Sequence, residues 1–236
     1  MKRISVLSVL LFALAVSTGF SEEEIMADES GTSVALPSSL DGIWVNPTDN
    51  TMENGLAVLS APWPNYSGSL ITYINLYDPA YGLDPNTSYR LTSVEFCIKD
   101  RGNQYGVESS RVIIQEWFEG APTETNLFNE EFDASNWGYP PDYSWTDPIS
   151  IIDSTVVLPA EFAIGWHILW PSAGAFADYY LGLDTDAPQG NYYFYNGQWC
   201  SMTPYDGAFG VRFEVEVYGS SSLQSATFAE IKALFR

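Results

Sequence analysis

The stretch GAFGVRFEVEVY, residues 207–218, constrains the fold more than any other. Phe209, Val211, Phe213, Val215 and Val217 take alternate positions, with Arg212, Glu214 and Glu216 between them. Side chains of an extended chain point to opposite faces with period two. The pattern therefore predicts a strand with one face on an apolar core and the other in water. TSVEFCIKD repeats it, with Val94, Phe96 and Ile98 inward and Glu95, Cys97 and Lys99 outward. SRVIIQEWF, ISIIDSTVVL and EFAIGWHILW read as further strands. KDRGNQYG, WGYPPDYSWTDP and LDTDAPQGN separate them with residues that favour turns. No helical period of useful length interrupts the series. Many short strands with this punctuation predict an all-β fold, an antiparallel β-sandwich, over residues 41–218.

The ends read differently. Lys2 and Arg3 precede the apolar run ISVLSVLLFALAV, then STG and the acidic SEEE. This order predicts an export signal over residues 1–21, with cleavage after Ala15, Ser17, Gly19 or Ser21. The run is shorter than the ~20 apolar residues that span a bilayer, and no later segment is long and apolar enough to be an integral membrane span. Localisation is therefore expected to be secreted or extracytoplasmic. Residues 22–40 are acidic, then Ser/Pro-rich, and predict an exposed leader. In the tail, residues 219–236, Thr227 and Glu230 have capping-box spacing, and Phe228, Ile231, Leu234 and Phe235 share one face of a short amphipathic C-terminal helix.

Charge narrows the partners. The chain carries 9 Lys+Arg against 30 Asp+Glu, a net charge of −21. Loss of the signal would remove only Lys2 and Arg3 from that count. Such a surface repels phosphate backbones, so no nucleic-acid partner is expected. It suits solubility, and it could attract Ca²⁺; Asp184 and Asp186 in LDTD are candidate loop ligands.

YYFYNGQWCSM holds the strongest hairpin signal, Asn196-Gly197, because both residues of a tight hairpin turn must tolerate positive φ. A two-residue turn opposes Tyr195 to Gln198, Phe194 to Trp199 and Tyr193 to Cys200. Phe194 and Trp199 are assigned to the core, and Tyr193 and Tyr195 to the outer face, where they form a candidate platform. Cys97 and Cys200 then share an outward side. In an exported protein they are expected to pair as a disulfide if their strands are neighbours.

No catalytic motif is present. His167 is the one histidine, without a Gly-x-Ser-x-Gly elbow or a His-Glu-x-x-His zinc pattern. Glu95, Glu116, Glu214 and Glu216 lie on strands and could supply the paired carboxylates of a glycoside hydrolase. Loops on a rigid sandwich are the usual place for binding. Trp44, Trp63, Trp137, Tyr139, Tyr143 and Trp145 could stack on sugar rings, densest in NWGYPPDYSW.

The run from Ser93 to Val217, with VEFCIKD, VVLPAEFAIGWHIL, YLGLDTD, NYYFYNGQWCSM and GAFGVRFEVEV, resembles the accessory jelly-roll-like sandwich domains of secreted bacterial proteins. The resemblance implies a non-catalytic role. The expected function is a secreted module that binds an extracellular glycan or protein, or that forms part of a surface assembly. A glycoside hydrolase and a purely structural matrix component are the alternatives.

Overall fold

A computed structural model describes residues 25–28, 30–34, 42–58, 66–102, 109–134, 137–151, 156–170, 178–187, 190–195, 198–202 and 207–218. The expected signal segment, the C-terminal helix, Trp63 and the Asn196-Gly197 turn lie outside the described residues, as do the side chains of Tyr193, Phe194 and Tyr195.

The described residues form seventeen strands. They are β1 (Ile25–Asp28), β2 (Thr32–Ser33), β3 (Ile43–Val45), β4 (Thr51–Met52), β5 (Asn54–Val58), β6 (Tyr66–Asn75), β7 (Tyr89–Asp100), β8 (Ser109–Phe118) and β9 (Ala121–Phe132). The rest are β10 (Ser144–Trp145), β11 (Ile149–Ser150), β12 (Glu161–Trp170), β13 (Tyr179–Asp184), β14 (Asn191–Tyr195), β15 (Gln198–Ser201), β16 (Ala208–Phe209) and β17 (Val211–Val217). Two large sheets result. The first runs β1-β5-β13-β7-β17-β3, with β10 and β11 also on β7 and β16 on β13; the second runs β15-β14-β6-β12-β8-β9.

Val94 pairs with both Ile149 and Phe213, and Ile98 with both Ser144 and Leu181. A residue has one neighbour per edge, so β10 and β11 flank β7 opposite β13 and β17. Followed in order, the chain visits β5 in the first sheet, β6 in the second, β7 in the first, then β8 and β9 in the second. It returns to the first for β10 and β11, crosses to β12, and comes back for β13. Crossing back and forth between two facing sheets makes the fold a β-sandwich.

The alternation of β17 places Val211, Phe213 and Val215 in the core, all at most 2% exposed. Across from them, β12 contributes Phe162, Ile164, Trp166 and Ile168. The sheets meet through aromatic pairs such as Phe162–Phe213, with ring centroids 5.8 Å apart, and Phe96–Trp166, 6.1 Å apart. Burying each such side chain stabilises the fold by about 1.5–3 kcal/mol. On β7 the inward set is Tyr89, Leu91, Val94, Phe96 and Ile98. The step of three after Leu91 reflects a register shift against β17 at Glu214/Val215, a bulge that changes the phase of one strand.

Three expectations need correction. Arg212, Glu95 and Cys97 do leave the first sheet on its outer side, but there they are covered and buried. Arg212 is 1% exposed and Glu95 2%. They form a buried ion pair, with the guanidinium 4.3 Å from the Trp145 ring centroid and 5.4 Å from that of Trp44. Cys97 packs beside them with Val34, Met52 and Tyr143 in a second apolar cluster.

Part of that cover comes from residues 22–40, which are not simply an exposed leader. Ile25–Asp28 pairs with β5, Thr32–Ser33 pairs with β4, and Val34 is buried.

Neither cysteine is disulfide-bonded. Cys97 lies on the outer side of the first sheet and Cys200 on β15 of the second, so the core separates them.

Candidate functional site

The outer face of the second sheet is built in rows by strand register. Ser69, His167, Arg111 and Glu131 are successive neighbours across β6, β12, β8 and β9. The next row is Ile71, Gly165, Ile113 and Asn129. Ile71, Ile113 and Ala163 form an apolar floor, and Trp117 and Trp199 pack against it. Gly165 is required here. A Cβ at this position would come within 2.0 Å of the Leu70 carbonyl oxygen and 2.8 Å of the Ile71 Cα.

A groove of about 320 Å³ opens over this floor, a volume at the lower end of ordinary small-ligand sites. Its polar lining is mostly uncharged: Ser69, Gln115, Asn126, Asn129 and His167, with Glu124 as the one carboxylate among the described lining residues. Gln115, 3% exposed, is held amide to amide against Asn126 and faces the carbonyls of Thr123 and Thr125 at 2.8 and 3.0 Å. Trp199 lines the same groove and donates its Nε1–H to the Thr123 carbonyl at 3.1 Å. Beyond the groove, Tyr73 and Trp117 pack at 4.5 Å between centroids, and the Tyr73 hydroxyl donates to Glu161.

His167 Nδ1 lies 2.7 Å from Ser69 Oγ. Burial, and then the Arg111 cation, push the imidazole down to about 4, so it is neutral at pH 7. Its charged neighbour is thus a cation, the opposite of the carboxylate that orients a catalytic histidine. Ser69 is 1% exposed.

The side chains singled out from sequence are distributed elsewhere. Trp199, expected in the core, lies on the outer face. The hairpin pairing is as expected, Phe194 opposite Trp199, but Trp199 packs against Ile71, Ile113 and Ala163 on the outer face. Trp137 packs against the core, 5.1 Å from Phe132 and 5.5 Å from Trp166. Tyr143 is buried, its hydroxyl against Gly55, and Trp145 covers Arg212. Tyr139 alone of that loop's aromatic residues is exposed, stacked on Tyr179 at 6.1 Å. NWGYPPDYSW therefore pins its loop inward and presents no broad aromatic platform.

Asp184 and Asp186 sit at a second cleft of about 310 Å³ with Asn46, Asp49, Asp78 and Tyr81. Both Asp184 oxygens are turned to the backbone: Oδ2 accepts from the Asp49 N–H at 2.7 Å, and Oδ1 from those of Asp186 and Ala187 at 3.1 and 3.0 Å. Asp184 is a loop staple. Among the described residues no group of three or more His, Cys, Asp or Glu is arranged to hold a metal. The four strand carboxylates are engaged separately. Glu95 pairs with Arg212, Glu216 with Arg90, Glu214 accepts from Thr92 and Ser93, and Glu116 accepts from Thr123.

Sequence reasoning missed Gln115, Asn126, Asn129 and Glu124. Part of the signal was present, because Arg111, Ile113, Gln115 and Trp117 alternate in SRVIIQEWF on the side opposite Val112 and Ile114.

Compared with known proteins, the chain matches no family model, no curated protein and no solved structure.

Proposed function

We propose that this chain is a secreted, non-catalytic β-sandwich module that binds an extracellular glycan in the groove on the outer face of its six-stranded sheet. One observation carries the reading: Trp199 lies beside Asn126 and Asn129 over an apolar floor. An indole offers a face to the C–H side of a sugar ring, and amides offer donors and acceptors together to its hydroxyls. The export-signal pattern at residues 1–21 and the resemblance to accessory domains of secreted proteins agree with an extracellular ligand. The Ser69–His167 pair supports a structural role for the histidine, since its neutral ring is tied to a buried hydroxyl beside a cation.

A glycan array followed by titration calorimetry tests the reading. The expected result is binding that falls at least ten-fold in Trp199→Ala and Asn126→Ala and is unchanged in Tyr139→Ala. Binding lost in Tyr139→Ala and retained in Trp199→Ala would move the contact to the loop. No glycan bound at all would shift the function to a protein partner or a structural role.

A further inference from the structure

Resting on the glycan reading above, we propose that the groove selects uncharged glycans and rejects chains of uronic acid or sulfated sugars. An anionic sugar is gripped most strongly by a fixed cation, best a guanidinium that can hold two oxygens at once. None of the described lining residues is Lys or Arg. The neighbouring guanidinium, Arg111, is held on the Ser69–His167 row and donates to Asn129 Oδ1 at 3.1 Å and Glu131 Oε2 at 3.3 Å, so it is already engaged by acceptors of the protein. His167 is tied to the Ser69 hydroxyl.

The groove also holds a charge of the wrong sign for an anion. Glu124 is an exposed residue of the lining, in a chain of net charge −21. A ligand carboxylate within about 5 Å of it would bind about four-fold more weakly even with the dielectric of water, and more so in a partly closed groove. Asn126 and Asn129 line the groove with uncharged amides, a group that carries both donor and acceptor and suits hydroxyls, while the Gln115 amide is turned to the protein's own carbonyls. The chemistry that fits is a neutral hexose or pentose chain.

The test measures the full chain against hexasaccharides of glucose, xylose, mannose and galactose, and against hexagalacturonate, at low and at physiological salt. At least one neutral hexasaccharide is expected to bind in a Trp199-dependent way. Hexagalacturonate is expected to bind at least about five-fold more weakly, with the gap narrowing in Glu124→Gln and at higher salt. Hexagalacturonate that binds as tightly as the neutral chains, and loses affinity in Trp199→Ala, overturns the selectivity while leaving the groove as a glycan site. A preference unmoved by both Glu124→Gln and salt overturns its electrostatic origin. If none of the five probes binds, the reading on which the inference rests fails, and the inference with it.

Discussion

Trp199, on one edge strand of the six-stranded sheet, donates its indole N–H to the carbonyl of Thr123 on the opposite edge strand, 3.1 Å away. In a flat sheet those strands, β15 and β9, would lie five spacings apart, about 24 Å. A side chain cannot bridge that, so the two edges curl toward each other over the outer face. β8 and β9 carry register shifts at Ile114/Gln115 and Gln115/Trp117, the bulges that bend and twist a strand pair. The turn joining them, Glu119-Gly120, has φ of 51° and 84°, as a two-residue hairpin of this twist requires. Curvature converts a planar sheet face into a groove.

Trp199→Phe keeps a smaller ring on the floor and removes the N–H together with part of the indole's packing. A net loss of at least about 1 kcal/mol in urea unfolding is expected, the worth of one such hydrogen bond plus the lost contact. An unchanged midpoint would show that the bond does not hold the edges together.

Glu95→Gln leaves the Arg212 guanidinium buried without its counter-charge. A loss of about 3–5 kcal/mol is expected, and Glu95→Leu with Arg212→Met together should recover much of it. Arg212→Met alone leaves Glu95 buried, where desolvation already pushes its carboxyl above the usual range and the guanidinium pulls it back. Without that pull the folded-state pKa rises further above the unfolded value. Protonation then favours the folded state, and the deficit of Arg212→Met is expected to shrink as pH falls. Denaturation of the three variants at pH 8 and pH 5 checks both statements.

His167 gives a second pH effect. Its folded pKa, about 4, lies below the ordinary 6.5, so the unfolded chain binds the proton more readily. Stability is therefore complete above pH 6.5 and declines as pH falls from about 6.5 to about 4. The loss reaches up to about 3 kcal/mol before other groups contribute. His167→Gln should flatten the decline in that window, as measured by thermal unfolding; a decline equal to that of the parent chain would assign it to carboxyl groups instead.

The cysteines should behave as separate thiols. Burial pushes the Cys97 thiol well above its usual range, so an aromatic disulfide reagent is expected to label Cys200 in the folded chain and Cys97 only after unfolding. A reductant should leave the unfolding midpoint in place. A bridge closing about 100 residues would be worth about 4–5 kcal/mol, so a large fall on reduction would establish one.

The sequence by itself determined the all-β class, the strands of the closing segments, the hairpin register of Tyr193 to Cys200 and the side of the sheet on which Arg212, Glu95 and Cys97 emerge. These are local quantities: alternation and turn chemistry act between neighbours along the chain or across one hairpin. Tertiary structure decided whether an outward side meets water. β2, β4 and the loop of Tyr143 and Trp145 cover one outer face, so an arginine and a glutamate that read as solvent-facing are buried together. It also decided which side of the hairpin faces out, because Trp199 packs against Ile71 of β6, more than a hundred residues away in the chain. The groove depends on both kinds of contact. Its residues come from β6, β8, β9, β12 and β15, and curvature alone brings the two edges within a hydrogen bond of each other.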